Sequence, residues 1–323
     1  MKWFVSGSAG FIGSNLCELL IKAGHQVVGI DNFLTGNKKN VDRVAGIEHG
    51  SYQFVDGDVC NQQLVEKLLD GIDIFVHLAG QVSVVKSFLD LPLNNRVNID
   101  GFSSALLASI SANIKKFIYA SSCAVYGNSD KLPLQECGPV FPLSPYATSK
   151  LMNEYLANNF NHNYPEIEFI GLRFFNIFGP WQDPGGDYSA VIPKWVDMIM
   201  KNKQPVIYGD GSATRDFCYV NNVCSLIEGV GKKPDLSSSD IFNIASGSSV
   251  NLNELLRIII EVVQKSGIDV KNLQPLYSNS RAGEIIHSSA DISKAQKILG
   301  FEPKIDLHTG IEYMLKEQYG LHV

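Results

Sequence analysis

Tyr146 and Lys150 stand four residues apart, directly after Ser144-Pro145. On a helix, positions i and i+4 share one face. Serine is a favoured N-cap and proline a favoured first helical residue, so a helix is expected to start at Pro145. Its first turns then present a phenol and an ammonium to one cleft. A positive charge beside a phenol favours the phenolate, so Lys150 is expected to make Tyr146 more acidic. Such a phenol can take a proton from an alcohol or sugar hydroxyl, as hydride transfer requires. Ser122, upstream, is a third candidate for the same chemistry.

These groups need a scaffold, and the N-terminus begins one. Lys2-Trp3-Phe4-Val5 reads as a short buried strand, and Gly7-Ser8-Ala9-Gly10-Phe11-Ile12-Gly13 follows it. Leu16, Leu19, Leu20 and Ala23 then recur at helical spacing, and Gly24 stops the run. A glycine loop between strand and helix suits a pyrophosphate, because the backbone can approach closely and the helix N-terminus offers N–H groups. The spacing is Gly-x-x-Gly-x-x-Gly. Gln26-Val27-Val28-Gly29-Ile30 forms a second expected strand. Asp31 falls at its end, roughly 20 residues beyond the loop, where an acid binds an adenosine ribose. An acid there repels a 2′-phosphate, which favours NAD over NADP.

Strands and helices alternate through the first half. Expected strands end at Asp56-Gly57-Asp58, at Leu78-Ala79-Gly80, at Ser121-Ser122 and at Arg173, with helical stretches such as Asn98 to Ile114 between them. This pattern predicts an α/β fold: a Rossmann-like, doubly wound parallel sheet covered on both faces. Ligands of such sheets bind beyond the C-terminal strand ends, where Asp31, Asp58, Ala79-Gly80 and Ser122 all fall. The second half differs. Proline and glycine cluster from Gly179 to Gly186, an amphipathic stretch runs from Ala190 to Lys201, and Leu252 to Val263 reads as an apolar helix. The expected division is a dinucleotide-binding domain at 1–175 plus about 216–247. A smaller, discontinuous α/β substrate domain takes about 176–215 plus 248–323.

Composition narrows the function. The 323 residues are 45% hydrophobic, and no segment has the apolar length of a membrane span. The net charge of −6, without a basic run, argues against nucleic acid. The six cysteines make no Cys-x-x-Cys pair and no zinc-spaced cluster, so no metal is expected and they read as reduced thiols. A strand expected from residue 2 leaves no room for a signal peptide, and a cytoplasmic location is expected.

Together these motifs resemble the extended short-chain dehydrogenase/reductase family, and within it the nucleotide-sugar 4-epimerases. The likeness runs through Gly7 to Gly13, Asp31-Asn32, Asp58-Val59, Leu78-Ala79-Gly80, Asn98, Ser121 to Gly127, Tyr146 to Lys150, Leu172 to Asn176 and Arg215-Asp216-Phe217. Phe178-Gly179 through Gln182-Asp183-Pro184 to Ala190-Val191-Ile192-Pro193-Lys194-Trp195 is most similar to bacterial UDP-N-acetylglucosamine 4-epimerases. The resemblance implies Tyr146 as base, Lys150 on the nicotinamide ribose and lowering the tyrosine pKa, and Ser122 on the reacting hydroxyl. It assigns NAD to Gly7, Gly10, Phe11, Ile12, Gly13, Asp31, Asn32, Asp58, Val59, Leu78, Ala79, Gly80 and Asn98, besides Tyr146 and Lys150. The UDP-sugar falls to Ser83, Ser122, Tyr146, Asn176, Ala190, Val191, Tyr208 (near uracil), Arg215, Arg281 (on the diphosphate), Glu284 and Ser288. It also implies a homodimer, paired through a four-helix bundle built from the helices around Asn98 to Ile110 and Leu151 to Phe160.

Within the family, a 4,6-dehydratase carries an Asp-Glu pair after the catalytic hydroxyl residue. Here Cys123-Ala124 follow Ser122, which disfavours elimination. UDP-glucuronate 4-epimerase stays open, although the matched segments hold no extra arginine for a carboxylate. A non-enzymatic dinucleotide sensor would typically have lost Tyr146 or Lys150. Cys123 has no histidine near it in sequence and is not expected to be a nucleophile, and His77 is expected to be a packed or cofactor-adjacent residue. Ser288 aligns where galactose-type enzymes carry a tyrosine that blocks N-acetyl sugars. The expected substrates are therefore UDP-N-acetylglucosamine and UDP-N-acetylgalactosamine, with UDP-glucose accepted equally or less well.

Overall fold

A computed structural model describes residues 1–48, 50–185, 190–233, 236, 240–270, 273–279 and 287–322. Seven parallel strands form the main sheet: β1 (Lys2–Ser6), β2 (Gln26–Asp31), β3 (Ser51–Asp56), β4 (Ile74–His77), β5 (Lys116–Ser122), β6 (Glu168–Phe174) and β10 (Asp240–Ile244). Their order is β10-β6-β5-β4-β1-β2-β3. The chain winds outward from β1 to β3 and then returns to place β4 on the other side of β1. That reversal opens a crevice beyond the strand ends, the place where doubly wound sheets bind ligands. Central strands are apolar throughout because both faces are covered, and all four residues of β4 are buried.

One face packs the Phe11–Lys22 helix and the Val220–Lys232 helix against β1. The fit is tight: a Cβ on Gly231 would lie 2.0 Å from the Trp3 ring, so only glycine lets this helix approach the strand. The other face buries Phe75, Phe117 and Tyr119 of the sheet under the Gly101–Ser111 helix, which contributes Phe102, and the Pro145–Asn163 helix. Each such side chain contributes roughly 1.5–3 kcal/mol on leaving water.

Smaller sheets follow. β7 (Asn176–Phe178), β9 (Thr214–Tyr219) and β11 (Ser249–Asn251) form one, in the order β11-β9-β7. β8 (Val206–Tyr208) pairs with β12 (Leu276–Ser278). The chain crosses between layers more than once, since β10 rejoins the main sheet after β9. Residue 216, near the expected boundary, lies within β9, which pairs with β11 over residues 214–216 and with β7 over residues 217–219.

Candidate active site

The Pro145–Asn163 helix starts as its sequence requires. Ser144 Oγ accepts from Ala147 N at 3.1 Å, and Pro145 occupies the first turn. Tyr146 and Lys150 are buried on its inner face, against the end of β5, where Ser122 also turns inward. Ser122 hydrogen-bonds the Tyr146 phenol. Lys150 Nζ donates to Ala120 O at 3.0 Å. The next turn adds Glu154, which accepts two bonds from Arg173 of β6, both 2.8 Å, and one from Ser121 Oγ. This buried fork ties the Pro145–Asn163 helix to β5 and β6, one turn beyond Lys150. Glu154 was not singled out by sequence, although it continues the i, i+4 series of Tyr146 and Lys150.

The electrostatics correct one expectation. Burial pushes Tyr146 up to about 12, and only the Ser122 hydrogen bond pulls it back. The Lys150 ammonium bonds Ala120 O and lies beside Gly80, whose added Cβ would stand 3.5 Å from Nζ. Burial lowers Lys150 to about 8, opposed by Glu154. Without ligand the phenol is therefore protonated. His77 is buried among Phe75, Phe102 and Phe117, and burial with Lys150 nearby lowers it to about 3, so it is a neutral packed residue. Burial raises the Cys123 thiol to about 12, which leaves it a poor nucleophile.

A cleft of about 740 Å³ runs from this centre along the strand ends. Its walls hold Gly7, Gly10, Phe11, Ile12, Gly13, Asp31, Asn32, Asp58, Val59, Leu78, Ala79 and Gly80, and also Ser122, Tyr146, Lys150 and Ala190. The glycine loop is packed to its limit. Gly7 has φ +76°, and a Cβ on Gly13 would sit 2.1 Å from Gly7 O. Asp31 accepts from Ala9 N at 3.0 Å and Phe33 N at 2.8 Å, which fixes its carboxylate at the cleft wall. Burial raises its pKa while those bonds oppose the rise. Loop, acid and elongated cleft fit a dinucleotide.

Asn98 is buried beside Gly80. It lies off the cleft wall, accepting from Gln81 N at 2.8 Å and donating to Gln81 O at 2.9 Å, and so braces the turn that carries Gly80. Ser83 caps the Val84–Leu89 helix by accepting from Lys86 N and is likewise off the wall. The remaining sugar-side residues are less gathered. Asn176 donates to Asp216 O at 3.1 Å, Val191 opens the Val191–Met200 helix, and Tyr208 lies on β8. Arg215 lies on β9, and its charge acts on Cys123, which follows Ser122. Ser288 is buried, its N–H donating to Thr214 O at 3.1 Å, which sets it next to Arg215. Arg281 and Glu284 lie outside the described residues. Sequence reading missed other parts of the wall: Thr35 to Asn37, Lys39 and Asn40 after Asp31, and Trp181, Gln182 and Gln318. Among the described residues no His, Cys, Asp and Glu cluster could hold a metal, and no helix is long and apolar enough to cross a membrane.

A doubly wound sheet, a glycine loop with its acid, and a Ser/Tyr/Lys centre define a nicotinamide-dinucleotide enzyme of the extended short-chain dehydrogenase/reductase type. The NAD dependent epimerase/dehydratase family matches residues 3–245, and the chain belongs to that family. It is an isomerase, and NAD is its cofactor. A putative UDP-glucose 4-epimerase of Methanocaldococcus jannaschii is 35% identical over 314 residues, 95% of each chain. A UDP-N-acetylglucosamine 4-epimerase from Methanobrevibacter ruminantium, solved with UDP-N-acetylmuramic acid, superposes with a TM-score of 0.88 at 33% identity, covering 98% of this chain and 99% of that one. A UDP-glucuronic acid 4-epimerase from Bacillus cereus, solved with UDP-glucuronic acid and NAD, gives 0.86 at 29% identity, covering 97% and 98%.

Proposed function

We propose that this enzyme interconverts UDP-N-acetylglucosamine and UDP-N-acetylgalactosamine, through a transient 4-keto sugar. The observation that carries the choice of sugar is Ser288: a small polar side chain, buried beside the Arg215 strand at the position expected to wall the C2 substituent. Likeness to the Methanobrevibacter enzyme supports the same reading.

Bound NAD supplies the acceptor that takes the C4 hydride and returns it, together with a positive charge in the same cleft. The chain's own residues do the rest. Tyr146 holds the proton exchanged with the C4 hydroxyl, and Ser122 hydrogen-bonds that hydroxyl and the phenol together. Lys150, fixed on Ala120 O next to Gly80, holds the nicotinamide ribose. Glu154 and Arg173 keep the helix in register with Ser122. The sugar turns over between the two hydride transfers, so net redox is zero and no NAD need be added. Asn176 and Arg215 are assigned to the sugar nucleotide and Arg281 to its diphosphate, where a planar guanidinium can donate two bonds.

The working unit is a homodimer in this reading. Tyr155 and Met152 on the Pro145–Asn163 helix and Leu107 on the Gly101–Ser111 helix are 59%, 42% and 42% exposed, an apolar surface suited to a helical bundle across a two-fold axis. The deciding experiment is NMR of UDP-hexoses, UDP-N-acetylhexosamines and UDP-glucuronate incubated with protein and no added NAD. Interconversion of the two N-acetyl sugars at least as fast as the UDP-glucose pair is expected. Turnover of the uronate alone would move the enzyme to the uronate branch.

A further inference from the structure

The Pro180–Pro184 segment enters the cleft wall beside the glycine-loop helix, and none of the catalytic steps above uses it. Asn15, on the first turns of that helix, donates Nδ2 to Pro180 O at 3.1 Å and to Phe11 O at 2.9 Å. Trp181 follows with φ +67°, a left-handed conformation that a bulky side chain adopts only when its surroundings hold it. Two neighbours hold it, and Asn15 anchors the residue before it. Its N–H donates to Gln318 Oε1 at 3.1 Å, from the C-terminal Leu307–Tyr319 helix. The Arg43 guanidinium lies 4.7 Å from the centre of its ring. Arg43 is in turn ion-paired with Glu18 of the glycine-loop helix and faces Glu317. Trp181 and Gln318 both line the cleft alongside Phe11, Ile12 and Gly13. Gln182 Oε1 is buried there and finds no hydrogen-bond partner among the described residues, which makes it an acceptor available to a ligand donor.

We propose that Trp181 is a cofactor-retaining residue: its ring covers the dinucleotide above the glycine loop, and Arg43 and Gln318 are positioning residues that act through it. The physical logic is one of access. The glycine loop and Asp31 offer binding groups from beneath, yet a dinucleotide held from one side leaves through the open side. An indole at that opening removes apolar surface of the ligand from water and must move before release. An arginine over its outer face holds it by a cation–π contact. Clamping from three separate elements is what a residue in an unfavourable backbone conformation needs if it is to stay in place. An enzyme that regenerates its NAD at each turnover gains from slow release.

The test reads cofactor release and involves no sugar, so it stands apart from the choice of substrate. Protein loaded with NADH is mixed with a large excess of NAD, and the decay of nicotinamide fluorescence gives the release rate. Trp181→Ala should speed release by roughly 10- to 100-fold, the scale for uncovering one large aromatic contact. Trp181→Phe should stay within about threefold of wild type, since a ring remains. Arg43→Met keeps the aliphatic packing but removes the charge, and should speed release by about threefold or more. If Trp181→Ala fails to fold, Arg43→Met decides alone. Release from Trp181→Ala within twofold of wild type overturns the proposal. So does an Arg43→Met protein whose melting temperature falls while its release rate stays put, because that outcome leaves Arg43 a purely structural role. Loss of UDP-sugar turnover with unchanged release speaks to the substrate reading and leaves the cover without support.

Discussion

The residues that line the cofactor cleft and those proposed for the sugar are built in opposite ways. At the cofactor end, each binding group is fixed before any ligand arrives. Asp31 is anchored by two backbone N–H groups, the glycine loop is packed against the Leu78-Ala79 turn, and Lys150 is bonded to Ala120 O. The residues proposed for the sugar come from separated segments. Off the cleft wall, Asn176 lies on β7, Arg215 on β9, Tyr208 on β8 and Ser288 beside Thr214. The difference matches the chemistry proposed. A cofactor that stays can be met by a rigid, preorganised surface. A sugar that must present both faces to one hydride acceptor needs a wall that leaves room.

The comparison breaks first at Tyr146. If the rigid end does the chemistry, Tyr146→Phe should cost about 10²–10⁴-fold in turnover, the range for losing a general acid–base. The pair of buried aromatic rings is nearly isosteric, so NAD should remain bound. Near-normal turnover, measured by the same NMR assay, would take the tyrosine out of the mechanism.

Legibility in the sequence divides along the same line. The cofactor end was readable because its signals are local. A strand, a glycine loop and a helix start occupy residues 2–22, and a Ser-Pro cap precedes Tyr146 and Lys150 at fixed helical spacing. Strand-end positions then converge by the geometry of a parallel sheet. What stayed hidden depends on contacts between distant segments. Glu154 sits at the readable spacing, but its partner Arg173 comes from β6. Asn98 was given to the cofactor by resemblance alone, and its bonds to Gln81, Asn94 and Ser149 depend on the fold. The direction of the Tyr146 shift was misjudged for a similar reason. Spacing places an ammonium on the same face as the phenol, but only the fold shows it captured by Ala120 O, with both groups buried.

That burial gives the second test. Preorganisation at the cofactor end should be paid in stability. The folded Lys150 value of about 8 lies below its ordinary 10.5. Between those pH values the unfolded chain binds a proton that the folded chain does not. Stability therefore rises with pH from about 8 toward 10.5, and the full cost of burying the charge is present below pH 8. The gap corresponds to a cost on the order of 3 kcal/mol at neutral pH. Lys150→Met should lose activity yet gain in melting temperature at pH 7, by roughly 5 °C. The gain should shrink as the pH approaches 10. A variant that melts lower at pH 7 would mean that the Ala120 bond outweighs the burial cost, and that the cofactor end is not held at the expense of stability.

The smallest effect is expected at the sugar end, and it sharpens the contrast most. Ser288 is buried against β9, one residue from His287, whose ring nitrogen lies 3.0 Å from Thr214 Oγ1. Its backbone is thus pinned on both sides, and a larger side chain there has to project from a fixed point. Ser288→Tyr should fill the space kept for an acetamido group, and overpacking a shaped pocket costs typically 1–3 kcal/mol. Turnover of the N-acetyl substrates should fall by about tenfold or more, while UDP-glucose, which lacks the group, should change by less than about threefold. NAD retention should not change, because the cofactor end is built from other segments. Equal slowing of both sugar pairs would mean that Ser288 does not wall the C2 substituent, and the preference for N-acetylhexosamines would lose the residue on which it rests. Faster cofactor release in the same variant would break the comparison itself, since a change at the sugar end would then have loosened the rigid one.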